Sequence, residues 1–352
     1  MKVGIYDPYL NTLGGGERYI VEIAKSFLDD HEVSLFWNQS NILSELEERF
    51  GLKLPGLTVR PNIFGTETSL KKRLLVSREF DYFFYISDGS FPLLLSKKIF
   101  PILQFPLSLP SQKTLKTRLK FRNVSAVLCY SEFVKSYLED TFTVPVKVLY
   151  PAVNQIGQVG KKEKIILSVG RFTRGNNKKN QEVLIKLFND HHKDFPGWKL
   201  VLAGGVLPSD LDYVKDLKRS AGTDRVEFKV NPKFTELEHL YRRAKIYWHA
   251  AGYGSDIEKN PEFAEHFGIT CVEAMSAGCV PVVFSGGGLK EIVKDGENGL
   301  TWDEPLGLLQ KTLELIDNGN RLEELSREAI KRAHDFSSGN FSDELHHLVN
   351  EK

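Results

Sequence analysis

The sequence predicts an α/β protein built from two doubly wound, Rossmann-like domains. Three observations carry this. Short runs of apolar, often β-branched residues alternate with helical stretches through the whole chain. Those runs are apolar on both sides of the two-residue period, as suits parallel strands covered on both faces. The alternation breaks once, at "YPAVNQIGQVGKKEK" (150–164), a Pro-, Gly- and Lys-rich stretch without periodicity.

In the first half the strand candidates are "KVGIY" (2–6), "VSLFW" (33–37), "DYFFYIS" (81–87), "IFPILQF" (99–105), "AVLCYS" (126–131) and "VKVLY" (146–150), with helices such as 17–29 and 131–142 between them. In the second half "KIILSVG" (164–170), "WKLVLAG" (198–204), "RVEFK" (225–229), "KIYWHA" (245–250), "CVPVVF" (279–284) and "GLTW" (299–302) play the same part. The domains therefore run over 1–150 and 151–330, with "SGNFSDELHHLV" as a final helix within 331–352. A chain of 352 residues is long for one domain and comfortable for two.

Composition excludes several classes. The net charge of +1 supplies no global field toward nucleic acid, so any basic patch is local. Cys129, Cys271 and Cys279 are odd in number and lie in apolar runs. They read as buried thiols in a reducing compartment, neither a disulfide framework nor a zinc site. The chain starts directly on a strand pattern without a signal peptide. No apolar run approaches the ~20 residues of a membrane span. A cytoplasmic location is the expectation.

In doubly wound sheets ligands bind outside the carboxyl ends of the strands, and three segments there carry chemistry. The first, "YDPYLNTLGGGERY", leads from the first strand into a helix. Gly14, Gly15 and Gly16 let backbone N–H groups approach a ligand at a helix N-terminus. The spacing fits neither G-x-G-x-x-G nor a Walker A loop, so an ATPase is excluded; a mobile loop is the plain alternative. The second, "SVGRFTRGNNKKNQEVLI", puts Arg171 directly after a strand, then Arg174, Lys178 and Lys179 at a helix entry. Such cations form a natural diphosphate clamp, against the plain reading of a solvated basic turn.

The third segment is "PEFAEHFGITCVEAMSAG" (261–278), an apolar helix ending at Gly278 with Glu265 just before its start. The plain reading of Glu265 is an acid favoured by the helix dipole, worth ~0.3–1 kcal/mol. Glu273 lies among Val272, Ala274, Met275 and Ala277, which leave little polar face. A buried carboxylate needs a partner, and adjacent sugar hydroxyls would supply one. The amides of Phe267, Gly268 and Ile269 are helix-start donors open to a sugar or phosphate.

"EHFGITCVEAMSAGCVPVV" resembles the E-x7-E signature of retaining nucleotide-sugar glycosyltransferases of family 4, which have the GT-B fold. "GGGERY", "SVGRF" with a following lysine, and "SGGGLKEIV-x-x-G-x-N-G" agree in order. The resemblance spans nearly the whole chain, is strongest over 164–302, and looks most like the mannosyltransferase branch that acts on lipid-linked oligosaccharides. It implies two Rossmann-like domains facing across a cleft, the donor held mainly by the second and the acceptor by the first, with the final helix packed back on the first. It implies that Glu265 binds donor-sugar hydroxyls beside the amides of Phe267 to Ile269, and that Glu273 binds the ribose. Arg171 and Lys178 hold the diphosphate, with Lys179 as the alternative because the loop departs from the commonest length. Gly15 and Gly16 cover the phosphates, and the base meets the loop from Val230 to Phe234. Where the family often carries a sugar-side histidine, "PILQFPLSLP" has Gln104, which donates and accepts hydrogen bonds but cannot act as acid or base.

The expected reaction is transfer of a hexose from GDP-mannose or a UDP-sugar to a glycan or lipid-linked acceptor. The nucleotide sugar is a substrate, and no cofactor is expected. Without a DxD-like pair at a diphosphate position, no metal is expected either. A nucleotide-sugar epimerase of the same architecture and a non-catalytic nucleotide-sugar-binding protein are the alternatives. His249 and His266 flank the site without metal-ligand spacing and read as structural. Asp256 and Glu258 read as solvated. "SQKTLKTRLKFRN" (111–123) places Lys113, Lys116, Arg118, Lys120 and Arg122 among Leu115, Leu119 and Phe121. It reads equally as a solvated helix face or as a peripheral contact with an anionic membrane at the inner face, to which "SLKKRLLVSREF" (69–80) adds.

Overall fold

The computed structural model describes residues 1–12, 14–107, 115–175 and 178–351, the side chains of Leu115 and Lys116 excepted. The chain divides into two compact units, Met1–Ala152 with Ser338–Lys352, and Val153–Ser337.

The first unit runs β1 (Lys2–Tyr6), α1 (Gly15–Ser26), β2 (Glu32–Phe36), α2 (Ile42–Phe50), β3 (Thr58–Arg60), α3 (Leu70–Ser77), β4 (Tyr82–Ile86), β5 (Lys98–Leu103), α4 (Leu115–Lys120), β6 (Val127–Cys129), α5 (Glu132–Leu138) and β7 (Val146–Val148). Its seven strands form one parallel sheet in the order β3-β2-β1-β4-β5-β6-β7. All five residues of β4, "YFFYI", are buried, as a central strand covered on both faces requires.

The second unit runs β8 (Glu163–Val169), α6 (Gln181–Asp190), β9 (Lys199–Gly204), α7 (Leu211–Ser220), β10 (Val226–Val230), α8 (Phe234–Arg243), β11 (Ala244–His249), α9 (Ile269–Ser276), β12 (Val280–Phe284), α10 (Leu289–Ile292), β13 (Leu300–Trp302), α11 (Pro305–Asp317) and α12 (Gly319–His334). Its six parallel strands lie in the order β10-β9-β8-β11-β12-β13. Its core gathers Ile166, Leu200, Leu202, Ile246, Trp248 and Val282 from the sheet with Leu184 and Phe188 from α6.

The last helix, α13 (Ser338–Asn350), belongs to the first unit. Phe341 packs edge-on against Tyr19 of α1, the His346 ring N–H donates to the Ser26 carbonyl (2.9 Å), and Lys98 Nζ donates to the Val349 carbonyl (2.6 Å). The sequence boundary at 331 needs moving. Residues 331–337 stay with the second unit, because α12 continues to His334. The sequence reading also lacks β3, three partly exposed residues with no apolar run.

In each sheet the strand order reverses once, between β1 and β4 and between β8 and β11. Crevices at the carboxyl ends of such switch points are where doubly wound sheets hold ligands. The glycine-rich loop follows β1, the basic loop follows β8, and the segment leading to Glu265 follows β11.

Candidate functional site

The site in the second unit starts from glycines that let chain segments touch. Gly170 follows β8, and a Cβ there would come within 2.6 Å of Lys179 Cγ. Its absence lets the lysine stem lie across the strand end. Gly287 has φ 62°, and a Cβ on it would overlap the Glu265 carbonyl. The tight fit lets the neighbouring Gly288 N–H donate to that carbonyl at 2.8 Å. The entry to α6 is fixed by Asn180, itself left-handed at φ 51°. Its amide donates to the carbonyls of Ala250 (2.8 Å) and Tyr253 (2.9 Å), tying the α6 start to the loop after β11. Gln181 Nε2 donates to the Arg171 carbonyl at 3.0 Å.

These supports bring three side chains together. Lys179 Nζ lies 2.7 Å from Glu265 Oε2, and His249 Nε2 lies 2.9 Å from the same oxygen. The side chains of Lys179 and Glu265 keep only 17% and 15% of their exposure. Burial pushes the Glu265 carboxyl up, but the Lys179 ammonium and the His249 contact outweigh it and hold the group well below the usual carboxylate range. Glu265 is therefore ionised at neutral pH, with charge balanced by Lys179. Just beyond it, Gly268 (φ 113°) caps the start of α9. Among the described residues the amides of Gly268, Ile269 and Thr270 have no hydrogen-bond partner. The Phe267 ring packs on Phe336.

Glu273, one turn into α9, is buried at 6% exposure. It is not a solvent-facing helix residue. Ligand hydroxyls, the partner expected from the sequence, are not needed to account for its burial. The hydroxyl of Tyr241, on α8, donates to Glu273 Oε2 at 2.9 Å. The protein supplies a partner of its own.

The other cations divide. The Arg171 side chain is exposed and Lys178 is half-buried, each without a side-chain partner among the described residues. The structure thus brings Lys179 to Glu265 and leaves Lys178 outside that contact. Arg174 turns away to pair with Asp216 and covers the Tyr213 ring. Asp256 pairs with Lys259 on the surface, and Glu258 is exposed. Burial lowers the His266 pKa. In the Val230–Phe234 loop, Asn231 Oδ1 accepts from the Val206 N–H (2.9 Å) and Glu236 caps the Lys233 N–H (2.7 Å). His249 and Asn180 are the members that sequence reasoning missed.

In the first unit, Glu17 Oε2 accepts from the Gly14 N–H at 2.6 Å, Gly15 opens α1, and Gly16 lies directly against the Gln104 side chain. Asp7, directly after β1, is fully buried; Oδ1 accepts from the Tyr9 N–H (2.8 Å), and Oδ2 has no partner. Burial, with Glu17 nearby, pushes its pKa up to about 7.

The basic stretch 111–123 is only partly visible: Lys113 lies outside the described residues, as do the side chains of Leu115 and Lys116. Arg118, Leu119, Lys120 and Arg122 are exposed. Phe121 is buried against Phe91 and Phe142, so it drops out of the apolar face read from the sequence. On α3, Leu70 and Leu75 are exposed at 54% and 57%. Among the described residues no helix is long and apolar enough to cross a membrane, and no group of three or more His, Cys, Asp or Glu is placed to hold a metal.

Residues 152–332 match the family described as glycosyl transferases group 1. A Dictyostelium discoideum protein named GDP-Man:Man(3)GlcNAc(2)-PP-Dol alpha-1,2-mannosyltransferase is 27% identical over 56% of this chain and 41% of its own length. An uncharacterized glycosyltransferase of Methanocaldococcus jannaschii is 33% identical over 51% of this chain and 47% of its own. The chain thus spans less than half the length of these relatives. Among solved structures, Anabaena HepE in complex with UDP and glucose superposes with a TM-score of 0.72 at 20% identity, covering 99% of both chains. A sucrose-phosphate synthase from Thermosynechococcus elongatus gives 0.70 at 15% identity, covering 99% of this chain and 98% of its own. Both units are parallel-sheet α/β structures, and the fold is GT-B.

Proposed function

As the chain belongs to the glycosyl transferases group 1 family, we propose that it transfers a hexose from a nucleotide diphosphate sugar to a hydroxyl of a glycan or lipid-linked acceptor, with retention of configuration. The observation that carries this is the ionised Glu265 held by Lys179 and His249 at the carboxyl end of the β8/β11 switch point, beside the open amides of α9. A carboxylate there accepts from sugar hydroxyls. Lys179 has three N–H donors and uses one on Glu265, so the same ammonium serves a diphosphate oxygen as well. Arg171 and Lys178 complete the cationic rim, and Glu273, held by Tyr241, is the residue proposed for the ribose.

The reaction breaks the bond from the anomeric carbon to the diphosphate oxygen and forms the bond from that carbon to the acceptor oxygen on the same face. The acceptor proton passes to the departing phosphate oxygen. The protein's part is positioning and stabilisation of the diphosphate charge, by fixed cations and helix-start amides without a metal. The Dictyostelium relative's name pairs GDP-mannose with a dolichol-linked acceptor, and the HepE structure holds UDP. Both nucleotides therefore belong in the test. A thermal-shift screen of GDP- and UDP-sugars identifies the donor, because selective binding raises the melting temperature with ligand concentration. The product's anomeric configuration then follows by NMR. Glu265→Ala is expected to lower transfer by a factor of roughly 100 or more; unchanged transfer refutes the site assignment.

A further inference from the structure

Two donors converge on one oxygen of Glu265. Lys179 and His249 both approach Oε2, while Oε1 has no protein partner among the described residues. The donors differ in kind. Lys179 comes on a flexible four-carbon stem and carries the charge. His249 ends the buried strand β11 at 1% exposure, so its ring is fixed by packing. The Ala251 N–H donates to His249 Nδ1 at 3.3 Å. Nδ1 is thus an acceptor, which puts the ring proton on Nε2, toward Glu265. The His249 contact is close but off-axis, since Nε2 lacks an aligned partner despite the 2.9 Å separation. Hydrogen bonds of this kind commonly align fully only with substrate in place.

We infer that His249 is a positioning residue for Glu265: as the Nε2-protonated tautomer it pins Oε2 and so turns Oε1 toward a donor-sugar hydroxyl. This rests on the reading of Glu265 as the sugar acceptor. Charge neutralisation falls to Lys179, and direction falls to His249. A histidine that merely fills the core would do neither, and its loss would lower stability without touching sugar recognition.

The test compares affinities of GDP with GDP-mannose, and of UDP with UDP-glucose, by titration calorimetry on wild type, His249→Ala and His249→Gln. The sugar contribution is the ratio of the two affinities within the pair that binds. His249→Ala is expected to shift that ratio about tenfold or more against the nucleotide sugar, as loss of a hydrogen bond to a charged group does, with nucleoside diphosphate affinity kept. His249→Gln, whose amide N–H falls near the position of Nε2 but cannot titrate, is expected to restore the wild-type ratio. An unchanged ratio in His249→Ala overturns the inference alone. So does a His249→Gln protein that binds the nucleoside diphosphate and has lost the sugar contribution, which also decides the matter if His249→Ala fails to fold. Failure of wild type to bind all four probes overturns the donor-site reading, and this inference with it.

Discussion

Asp7 offers a stability test whose sign is set by burial. Its carboxyl is fully buried, keeps one orphaned oxygen, and is pushed from an ordinary 3.8 up to about 7. A raised pKa means that the folded chain holds a proton the unfolded chain has released. Between about pH 4 and pH 7 the folded state therefore binds more protons, and stability falls as pH rises. The Asp7 contribution is fully present below the unfolded value and lost once pH passes the folded one. At 1.36 kcal/mol per pH unit, the interval from 3.8 to about 7 amounts to roughly 4 kcal/mol. Asp7→Asn removes the titration and keeps the shape. Below the unfolded value of 3.8 the variant differs only by the cost of its amide hydrogens, about 1–3 kcal/mol where they lack acceptors. By pH 8 wild type has to bury a charge that the variant lacks. The stability difference, variant minus wild type, is expected to climb by about 4 kcal/mol from pH 4 to pH 8. The other titrating groups cancel in the difference. Hydrogen exchange of β1 and α1 peptides, corrected for intrinsic rates, reads the first unit alone. A difference flat in pH refutes the assigned burial of a protonated Asp7.

Three further outcomes follow from the contacts. Lys179→Met is expected to weaken nucleoside diphosphate binding by roughly 100-fold and Lys178→Met, on the rim, by well under tenfold, in calorimetric titration with the matching nucleotide; equal effects would refute the leading place given to Lys179. Tyr241→Phe removes a buried donor from Glu273 and should cost about 1–3 kcal/mol in urea unfolding, with no cost if ligand hydroxyls alone account for that carboxylate. Leu75→Glu with Lys71→Glu and Lys72→Glu on exposed α3 should abolish any sedimentation with vesicles of anionic lipid, and unchanged sedimentation removes α3 from the membrane reading.

Much of the fold was legible because parallel strands covered on both faces must be written as short apolar runs. Twelve of the strands announce themselves this way, and β3 does not, since an edge strand of three partly exposed residues, "TVR", has no such need. Which of Lys178 and Lys179 meets Glu265 was not legible. It turns on where α6 begins, and that depends on Asn180 taking a left-handed conformation to reach two carbonyls some 70 residues on in sequence. His249 did leave a signal. A histidine closing a strand that is apolar from Ile246 to Trp248 stands where doubly wound sheets meet ligands. Metal-ligand spacing was the wrong question to put to it, because its partner is a carboxylate sixteen residues away.

Glu273 separates what sequence can say from what packing decides. Its burial followed from its apolar neighbours and is present in the structure. Its partner could not follow, because Tyr241 lies 32 residues back on another helix and meets Glu273 only where α8 and α9 pack. That contact changes the weight of the two glutamates. A buried carboxylate with a protein donor is stable without a ligand, so the burial of Glu273 does not itself call for a nucleotide. Glu265 is different. Lys179 bonds one of its oxygens, His249 lies against the same oxygen, and the other has no protein partner among the described residues, beside three open helix-start amides. The arrangement there is incomplete in a way that an acceptor-seeking, hydroxyl-rich ligand completes. The donor-site reading therefore stands or falls on Glu265.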